Sequence, residues 1–267
     1  MTNFQEYLDI NYPKSQRKTI EKLDLSNKNL EGSLGFITDF TNLKELNISG
    51  NPLVGSLESL KNLTKLKHLN FNDTDIDSGL EYLPESLEEI HCFPEKNPSA
   101  KVKTISTIVD LLFKAVERNK VDEIKEIIVA NKLKNLNFYD KLGDTLLHHA
   151  VQKNYQHQET VKYLLELGAF VDCQNEKYKE TPLHMAVENN NLWIAMELLL
   201  GGANPNIQSN MAFNVSYFED DDWKECSYKC TAMDYAARQN NFEMLELLIK
   251  CGGDVDKYIL SIIRSAA

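Results

Sequence analysis

The chain has 267 residues, of which 42% are hydrophobic and 26% are charged, a composition typical of a globular protein with one large or two modest domains. With only 11 Gly and 7 Pro, collagen-like and low-complexity classes are excluded. Lys and Arg total 29 against 40 Asp and Glu, which gives a net charge of -11. Nucleic acid and anionic membranes are therefore poor partners, because both are bound through clustered Lys and Arg.

The N-terminus and the cysteines favour a soluble intracellular protein. Acidic side chains occur within the first nine residues and no apolar segment follows them, so we expect no secretory signal. No apolar run approaches the ~18 residues that a membrane-spanning helix needs. The five cysteines are odd in number and irregularly spaced, which suits reduced thiols. We expect a cytoplasmic protein, with the nucleus as the alternative compartment.

The first third of the chain repeats an apolar pattern every 21 to 23 residues. Its clearest copy matches LxxLxLxxNxL at every fixed position, with Leu43, Leu46, Ile48, Asn51 and Leu53. The copy that starts at Ile20 carries Lys28 in the asparagine position. The copy that starts at Leu66 carries Thr74 there, and a fourth copy starts at Leu87 and then loses the pattern.

Each copy predicts a short strand whose alternate residues enter one core, and stacked copies predict a parallel sheet. Asn51 is expected to hydrogen-bond the turning backbone after its strand. Residues from about 12 to 93 resemble the leucine-rich repeat family. Their first part, from Tyr12 to Ile20 with the following LDLSNKNLEGSL, is similar to the N-terminal cap of leucine-rich repeat proteins common in certain fungi. The resemblance implies a short α/β solenoid.

A second period follows a break at Pro94 and Pro98, so we interpret residues 94–104 as a linker. TLLHHA at 145–150, TPLHMA at 181–186 and TAMDYA at 231–236 are each followed by a second apolar helix with a small turn. Residues from about 105 to 256 therefore resemble ankyrin repeats, which implies about four helix pairs in an all-α solenoid. The resemblance gives structural roles to three residues: Thr181 caps a helix, and His148 and His184 bond neighbouring backbone.

The predicted organisation has two domains joined by the linker at 94–104. Residues 1–93 form the leucine-rich repeat domain with its N-terminal cap, and residues 105–267 form the ankyrin repeat domain with a C-terminal cap from Val255. A surplus of residues at 208–229 lies where the family has a short finger turn, and we expect it to form an exposed loop.

The ankyrin resemblance also implies a partner-binding surface on the concave side of the array. The position after the TPLH-like histidine faces that side in the family, and its side chains here are aromatic, charged or Met, as in interfaces. Leucine-rich strand positions between the core leucines are expected to give a second surface. The predicted partner-binding residues are Lys114, Arg118, His149, Lys153, Met185, Glu188, Asn189, Tyr235, Arg238 and, in the insertion, Trp223.

No catalytic motif is present: GxGxxG, GxxxxGK[ST], HExxH and GxSxG are all missing. Cys226 and Cys230 are the best metal candidates, but zinc commonly takes a second Cys or His pair and none follows. We therefore expect no enzyme activity, no cofactor and no metal. The sequence is interpreted as a protein-protein interaction scaffold, monomeric by itself. The alternative is a regulatory or substrate-recognition part of a larger enzyme assembly, such as a kinase or ubiquitin-ligase adaptor.

Overall fold

The computed structural model describes residues 1–93, 103–152, 157–219 and 222–265. The chain divides into two compact units, Met1–Lys141 and Leu142–Ala267. This division lies within the segment for which the sequence predicts ankyrin repeats, so the first predicted ankyrin helices belong to the same unit as the leucine-rich segment.

The first unit consists of a small cap, stacked strand turns and two helices. The cap comprises β1 (Thr2–Asn3), α1 (Phe4–Asn11) and α2 (Lys14–Arg17). The strands that follow are β2 (Lys22–Asp24), β3 (Leu30–Glu31), β4 (Glu45–Asn47), β5 (Val54–Ser56), β6 (His68–Asn70), β7 (Asp75–Ser78) and β8 (Glu89–His91). Short 3-10 helices span Leu34–Asp39, Leu57–Leu60 and Leu80–Tyr82. The unit ends with α3 (Lys103–Glu117), α4 (Val121–Ala130) and β9 (Phe138–Tyr139).

The main sheet of this unit is parallel, with the strand order β2-β4-β6-β8-β9. Its register aligns one central residue from each of the first four strands: Leu23, Leu46, Leu69 and Ile90. All four are at most 2% exposed, whereas the residues on either side of them are at least partly accessible. The α/β solenoid predicted from the repeat is confirmed, because alternate residues of each strand enter one core.

Asn51 lies at the centre of the turn that follows β4 and is completely buried. Its Oδ1 accepts hydrogen bonds from the backbone N-H groups of Lys28 and Leu30, both at 3.0 Å. Its Nδ2 donates to the carbonyl oxygens of Leu25 at 2.8 Å and Ile48 at 2.9 Å. One amide therefore satisfies four main-chain groups from two successive turns, as a buried turn requires.

The cap is anchored by a buried arginine. Arg17 is 1% exposed, and its guanidinium contacts Asp9 Oδ1 at 2.5 Å and Asp39 Oδ2 at 3.0 Å. Its Nε also donates to the Tyr12 carbonyl at 2.8 Å. Asp39 lies 22 residues after Arg17, so this side chain joins the cap to the first turn of the solenoid.

The last strand of the main sheet comes from beyond α4. β9 pairs in parallel with β8, with Ile90 opposite Phe138. Two asparagines secure the approach to β9: the Nδ2 atoms of Asn135 and Asn137 donate to the Leu87 carbonyl at 2.9 and 2.7 Å. The open edge of β8 is thereby covered by main-chain pairing, which is how sheets avoid an exposed edge strand.

The described part of the second unit contains three helix pairs, a hairpin and a final helix. The pairs are α5 (Leu146–Gln152) with α6 (Gln158–Glu166), α7 (Pro182–Glu188) with α8 (Leu192–Leu200), and α9 (Ala232–Arg238) with α10 (Phe242–Lys250). The hairpin consists of β10 (Ala212–Glu219) and β11 (Asp222–Lys229), and the final helix is α11 (Lys257–Ser265). In this unit α7 packs between α5 and α9. The helical ankyrin architecture predicted from the sequence is confirmed.

Most of the insertion at 208–229, for which the sequence predicts an exposed loop without strands being assigned, forms the antiparallel hairpin β10-β11. Apolar and polar residues alternate from Phe213 to Tyr217, which is the period of a strand. Gly168 and Gly202 follow the second helices α6 and α8 in the left-handed conformation, with φ of 79° and 92°.

Candidate interaction surfaces

Two buried histidines in the second unit tie neighbouring helix pairs together. Nδ1 of His184 accepts the backbone N-H of Thr181 at 3.1 Å and lies 2.8 Å from the Thr181 hydroxyl. Because Nδ1 is an acceptor, the ring proton lies on Nε2, which donates to the Cys230 carbonyl at 3.2 Å. Burial lowers the pKa of His184 to about 4, so the ring is neutral near pH 7.

His148 repeats the same arrangement one helix pair earlier. Its Nδ1 accepts the Thr145 N-H at 3.1 Å, and its Nε2 donates to the Glu180 carbonyl at 3.0 Å. In the last pair Asp234 takes the histidine's place, and its Oδ2 accepts the Thr231 N-H at 2.7 Å. A carboxylate reproduces the capping contact, but it has no second N-H to donate onward.

We call the capping residues the framework: Thr145, His148, Thr181, His184, Thr231 and Asp234. Next to the framework, the first helices of the pairs present accessible side chains. His149 and Met185 are half-buried, and Glu188, Asn189 and Arg238 are exposed. We call these five residues the first-helix surface. Arg238 Nη2 lies 3.9 Å from Glu188 Oε1, which connects α9 to α7 across this surface.

Tyr235 departs from the prediction that it faces outward with the partner-binding residues. It is 1% exposed, and its hydroxyl donates to Glu180 Oε1 at 2.6 Å. Its ring also meets the His184 ring edge-on, with 5.4 Å between centroids. The prediction is wrong because the phenol reaches inward to a buried acceptor, so Tyr235 packs against the framework and does not belong to the first-helix surface.

Two polar residues around that phenol, Glu180 and Ser209, were not predicted from the sequence. Glu180 is 7% exposed, and burial raises its pKa even though the hydrogen bond from Tyr235 acts in the opposite direction. Ser209 is fully buried, with its Oγ 3.5 Å from the Tyr235 hydroxyl. A Glu directly before TPLH was the available signal, but one such residue does not distinguish a buried carboxylate from an exposed one.

The remaining predicted partner-binding residues lie elsewhere. Lys114 is exposed on α3, and Arg118 is exposed in the turn directly after α3. Both belong to the first unit, so their place in one column with His149 stays a prediction. Lys153 lies outside the described residues. Trp223 lies on β11 opposite Phe218, and its side chain is not among those described.

The predicted second surface is the exposed face of the leucine-rich sheet, and its side chains are largely paired with one another. Lys22 Nζ lies 2.6 Å from Glu45 Oε1, and His68 Nδ1 lies 2.8 Å from Glu89 Oε2. At the ends of three strands, carboxylate or amide oxygens accept backbone N-H groups of the following turns: Asp24 from Ser26, Asn47 from Ser49 and Asn70 from Asn72. The side chains at the strand ends therefore stabilise the turns. The charged pairs Lys22-Glu45 and His68-Glu89 are the part of this face that is accessible to a partner.

Metal-binding clusters and membrane-spanning helices are absent from the part of the chain that the structure describes. Within residues 1–93, 103–152, 157–219 and 222–265, no three His, Cys, Asp or Glu side chains are grouped so that they could hold a metal ion. No helix of those ranges combines the length and the apolar character needed to cross a membrane. Cys230 is buried, and the Cys226 side chain lies outside the described part.

Family models match three stretches of the chain. A model of leucine-rich repeats, with two copies, matches residues 18–62, and a model of ankyrin repeats, with three copies, matches residues 112–209. A further ankyrin repeat matches residues 228–257. The chain combines leucine-rich repeats with ankyrin repeats. Repeat domains of these two kinds are typically non-catalytic and bind proteins.

Several curated proteins are similar to part of this leucine-rich and ankyrin repeat chain. A putative ankyrin repeat protein of fowlpox virus, FPV031, is 28% identical over 160 residues, which is 52% of this chain and 46% of that protein. Palmitoyltransferase Hip14 of Drosophila melanogaster is 27% identical over 47% of this chain and 19% of its own length. The B-cell lymphoma 3 protein homolog of Mus musculus is 50% identical over 25% of this chain and 14% of its own length. The chain thus spans less than half the length of each of these relatives.

Proposed function

We propose that this chain is a non-catalytic protein-protein interaction scaffold that binds a protein partner through the first-helix surface. The observation that carries this proposal is that adjacent residues of the first helices have different roles, one buried and structural, the next accessible. His148 and His184 are buried and bond the next helix pair, whereas the adjacent His149 and Met185 are accessible. A stack with a fixed backbone and variable exposed side chains is what repeat proteins use to bind other proteins.

The chemistry of the first-helix surface suits a protein partner. It combines a thioether, an imidazole and an exposed ion pair, and interfaces are enriched in Met and Arg. The proposal includes Lys114, Arg118, Lys153 and Trp223 as further contact residues, and the leucine-rich strand face as a second surface. It also includes a cytoplasmic location, since Cys92, Cys173 and Cys230 are buried and form no disulfide bond.

A second candidate function is the recognition part of a larger enzyme assembly. The observation that favours it is that three of the similar proteins are named palmitoyltransferases, or putative ones, and that this chain matches only 14 to 19% of their lengths. In this alternative the repeats present a substrate or partner to a catalytic domain supplied by another segment or chain. A capture experiment that recovers a catalytic subunit in stoichiometric amount distinguishes it from a free-standing scaffold.

The test is affinity capture of the full chain from its native cell, with proteins quantified by mass spectrometry. A variant with Met185→Ala, Glu188→Ala and Arg238→Ala is expected to lose its captured partner while its thermal midpoint changes little, because the Glu188-Arg238 pair is exposed and long. The control is Lys28→Ala with Glu58→Ala and Lys61→Ala, which alters exposed residues of the first unit. Equal capture by the two triple variants contradicts the assignment of this surface.

A further inference from the structure

The second helices of the ankyrin pairs present a feature that the first-helix surface does not use. On α8, Trp193 is 58% exposed and Leu200 is 76% exposed. They are seven residues apart and therefore lie on one side of the helix, with the half-buried Met196 between them. We call these three residues the α8 stripe.

The α8 stripe is not required by the packing of the repeat. The core side of α8 is formed by Ile194, Ala195 and Leu198, all fully buried. At the positions that correspond to the stripe, counted from the turn glycines Gly168, Gly202 and Gly252, the two other second helices carry charges. These charged residues are Glu159, Lys162 and Glu166 on α6, and Glu243, Glu246 and Lys250 on α10. The same fold thus places charge on α6 and α10 where α8 has exposed apolar surface.

The surroundings of the stripe are acidic. Helices α6, α8 and α10 together contain five Glu and two Lys. One of the two lysines, Lys250, forms an ion pair with Glu246 at 2.6 Å. Glu197 lies beside Met196 on α8 itself, and its Oε1 accepts a hydrogen bond from Gln158. A partner that covers the stripe and extends over the other second helices therefore meets apolar side chains on α8 and an excess of negative charge on these helices.

We propose that the α8 stripe binds an amphipathic helix of a protein partner, one whose apolar residues are flanked by Lys or Arg. Residues seven apart span about 10 Å along a helix, so two turns of a partner helix cover Trp193 and Leu200. The acidic rim is complementary to the basic flanks of such a helix and opposes wrong partners.

The same acidic rim disfavours two other occupants of the α8 stripe, a second copy of this chain and an anionic membrane. In a symmetric dimer each copy presents the same patch, so two acidic rims would face one another. An anionic membrane surface attracts Lys and Arg and repels glutamates. This surface lies on the second helices, and its assignment does not depend on the first-helix surface.

The direct test uses the full chain and a fluorescein-labelled synthetic peptide of 18 residues or so, built of Leu and Lys in the pattern of an amphipathic helix. Two comparison peptides have the same Leu and Lys in scrambled order, or Glu in place of every Lys. Fluorescence anisotropy is expected to show at least about tenfold tighter binding of the patterned Leu-Lys peptide than of either comparison peptide.

The decisive variant is Trp193→Glu with Leu200→Lys, which gives α8 the residues that α10 has at Glu243 and Lys250. We expect it to weaken peptide binding at least about tenfold, with unchanged circular dichroism. Its matched control, Val129→Glu with Leu111→Lys, makes the same exchange at exposed apolar positions of α4 and α3 and is expected to bind normally. If the double variant does not fold, Trp193→Ala replaces it, with the same direction of change.

Several results overturn the proposal. They are equal binding of the scrambled peptide, no binding of the patterned peptide, and a loss in the α8 variant no larger than in the α4 and α3 control. A concentration-dependent dimer in sedimentation that the α8 variant abolishes assigns the stripe to a second copy. Binding to phosphatidylserine vesicles that the same variant abolishes assigns it to a membrane. The triple variant of the first-helix surface retains peptide binding if the two surfaces are independent.

Discussion

The hydroxyl of Tyr235 donates a hydrogen bond of 2.6 Å to Glu180, which lies 55 residues earlier in the chain. Both side chains are buried, and the Tyr235 ring packs edge-on against His184. The bond connects α9 to the turn before α7, so it links two successive helix pairs in addition to the histidine-to-carbonyl bond from His184 to Cys230. The last two ankyrin pairs are therefore joined by two kinds of polar contact inside the stack.

Replacing Tyr235 by Phe is expected to lower the free energy of unfolding by about 1–3 kcal/mol, because Glu180 stays buried and loses a donor. Tyr235→Ala also leaves a cavity and is expected to cost about 3–5 kcal/mol. Urea unfolding followed by circular dichroism measures both. Met185→Ala, in the corresponding but half-buried position, is the control and is expected to cost less. A Phe variant as stable as the unaltered protein contradicts a stabilising role for this bond.

The buried His184 predicts a dependence of stability on pH. Its pKa falls from 6.5 to about 4 on burial, so between these values the unfolded chain binds more protons than the folded one. Stability therefore decreases as the pH is lowered through this window, by about 2 kcal/mol between pH 7 and pH 5 for this residue. The raised pKa of Glu180 makes the fold more stable as the pH is lowered, which opposes the effect of His184. The contribution of His184 is therefore measured as the difference between the unaltered chain and a His184 variant.

The measurement compares the unaltered chain with His184→Gln by urea unfolding at pH 7 and pH 5. The Gln variant is expected to be less stable at pH 7, because the bond to the Cys230 carbonyl is disturbed. It is also expected to lose about 2 kcal/mol less than the unaltered chain on going to pH 5. Identical pH dependence in the two proteins would show that His184 does not remain neutral in the fold.

Asn51→Ala is expected to destabilise the leucine-rich unit by about 3 kcal/mol or more, because it leaves several buried main-chain groups without their partner. Asn51→Thr is expected to recover only part of this, since Thr74 in the corresponding position makes one bond, to the Phe71 carbonyl. The control in thermal unfolding is Lys28→Ala. Lys28 holds the position of Asn51 in the first leucine-rich repeat copy, and its side chain is exposed. Equal midpoints for Asn51→Ala and Lys28→Ala would refute the predicted role.

The repeats could be predicted because their spacing is a direct record of local structure. Leu46 and Leu183 are 2% and 1% exposed. Their burial is predicted by apolar residues that alternate along a strand, for Leu46, or recur on one side of a helix, for Leu183. The direction of Tyr235 could not be predicted, because Met185 holds the corresponding position and remains half-buried. What differs is an acceptor, Glu180, that the fold brings from a distant part of the sequence.

The pairing of β9 was also beyond sequence reasoning. A strand of two residues has no alternation to detect, and Phe138 and Tyr139 precede the first clear ankyrin motif. The asparagines that secure it, Asn135 and Asn137, bond a carbonyl about 50 residues earlier. Such contacts depend on how elements meet in space, and a single sequence carries no sign of them.

This pairing predicts which fragments fold. Residues 1–141 are expected to unfold cooperatively as an isolated fragment, because they contain β9 and the asparagine contacts to Leu87. Residues 1–93 alone leave the edge of β8 unpaired and are expected to melt at least about 10 °C lower or to aggregate. Calorimetry of the two fragments measures the difference. Equal stability would show that α3, α4 and β9 contribute little to the leucine-rich unit.

Residues 138–139 fall inside the stretch matched by the ankyrin model, yet they extend a sheet built by leucine-rich repeats. Main-chain hydrogen bonds between strands do not depend on which side chains the residues carry. The junction between the two repeat families can therefore form with many different sequences. A gene fusion at such a point would have needed few compensating changes to give a stable product. The same join offers protein engineers a template for grafting helical arrays onto leucine-rich solenoids.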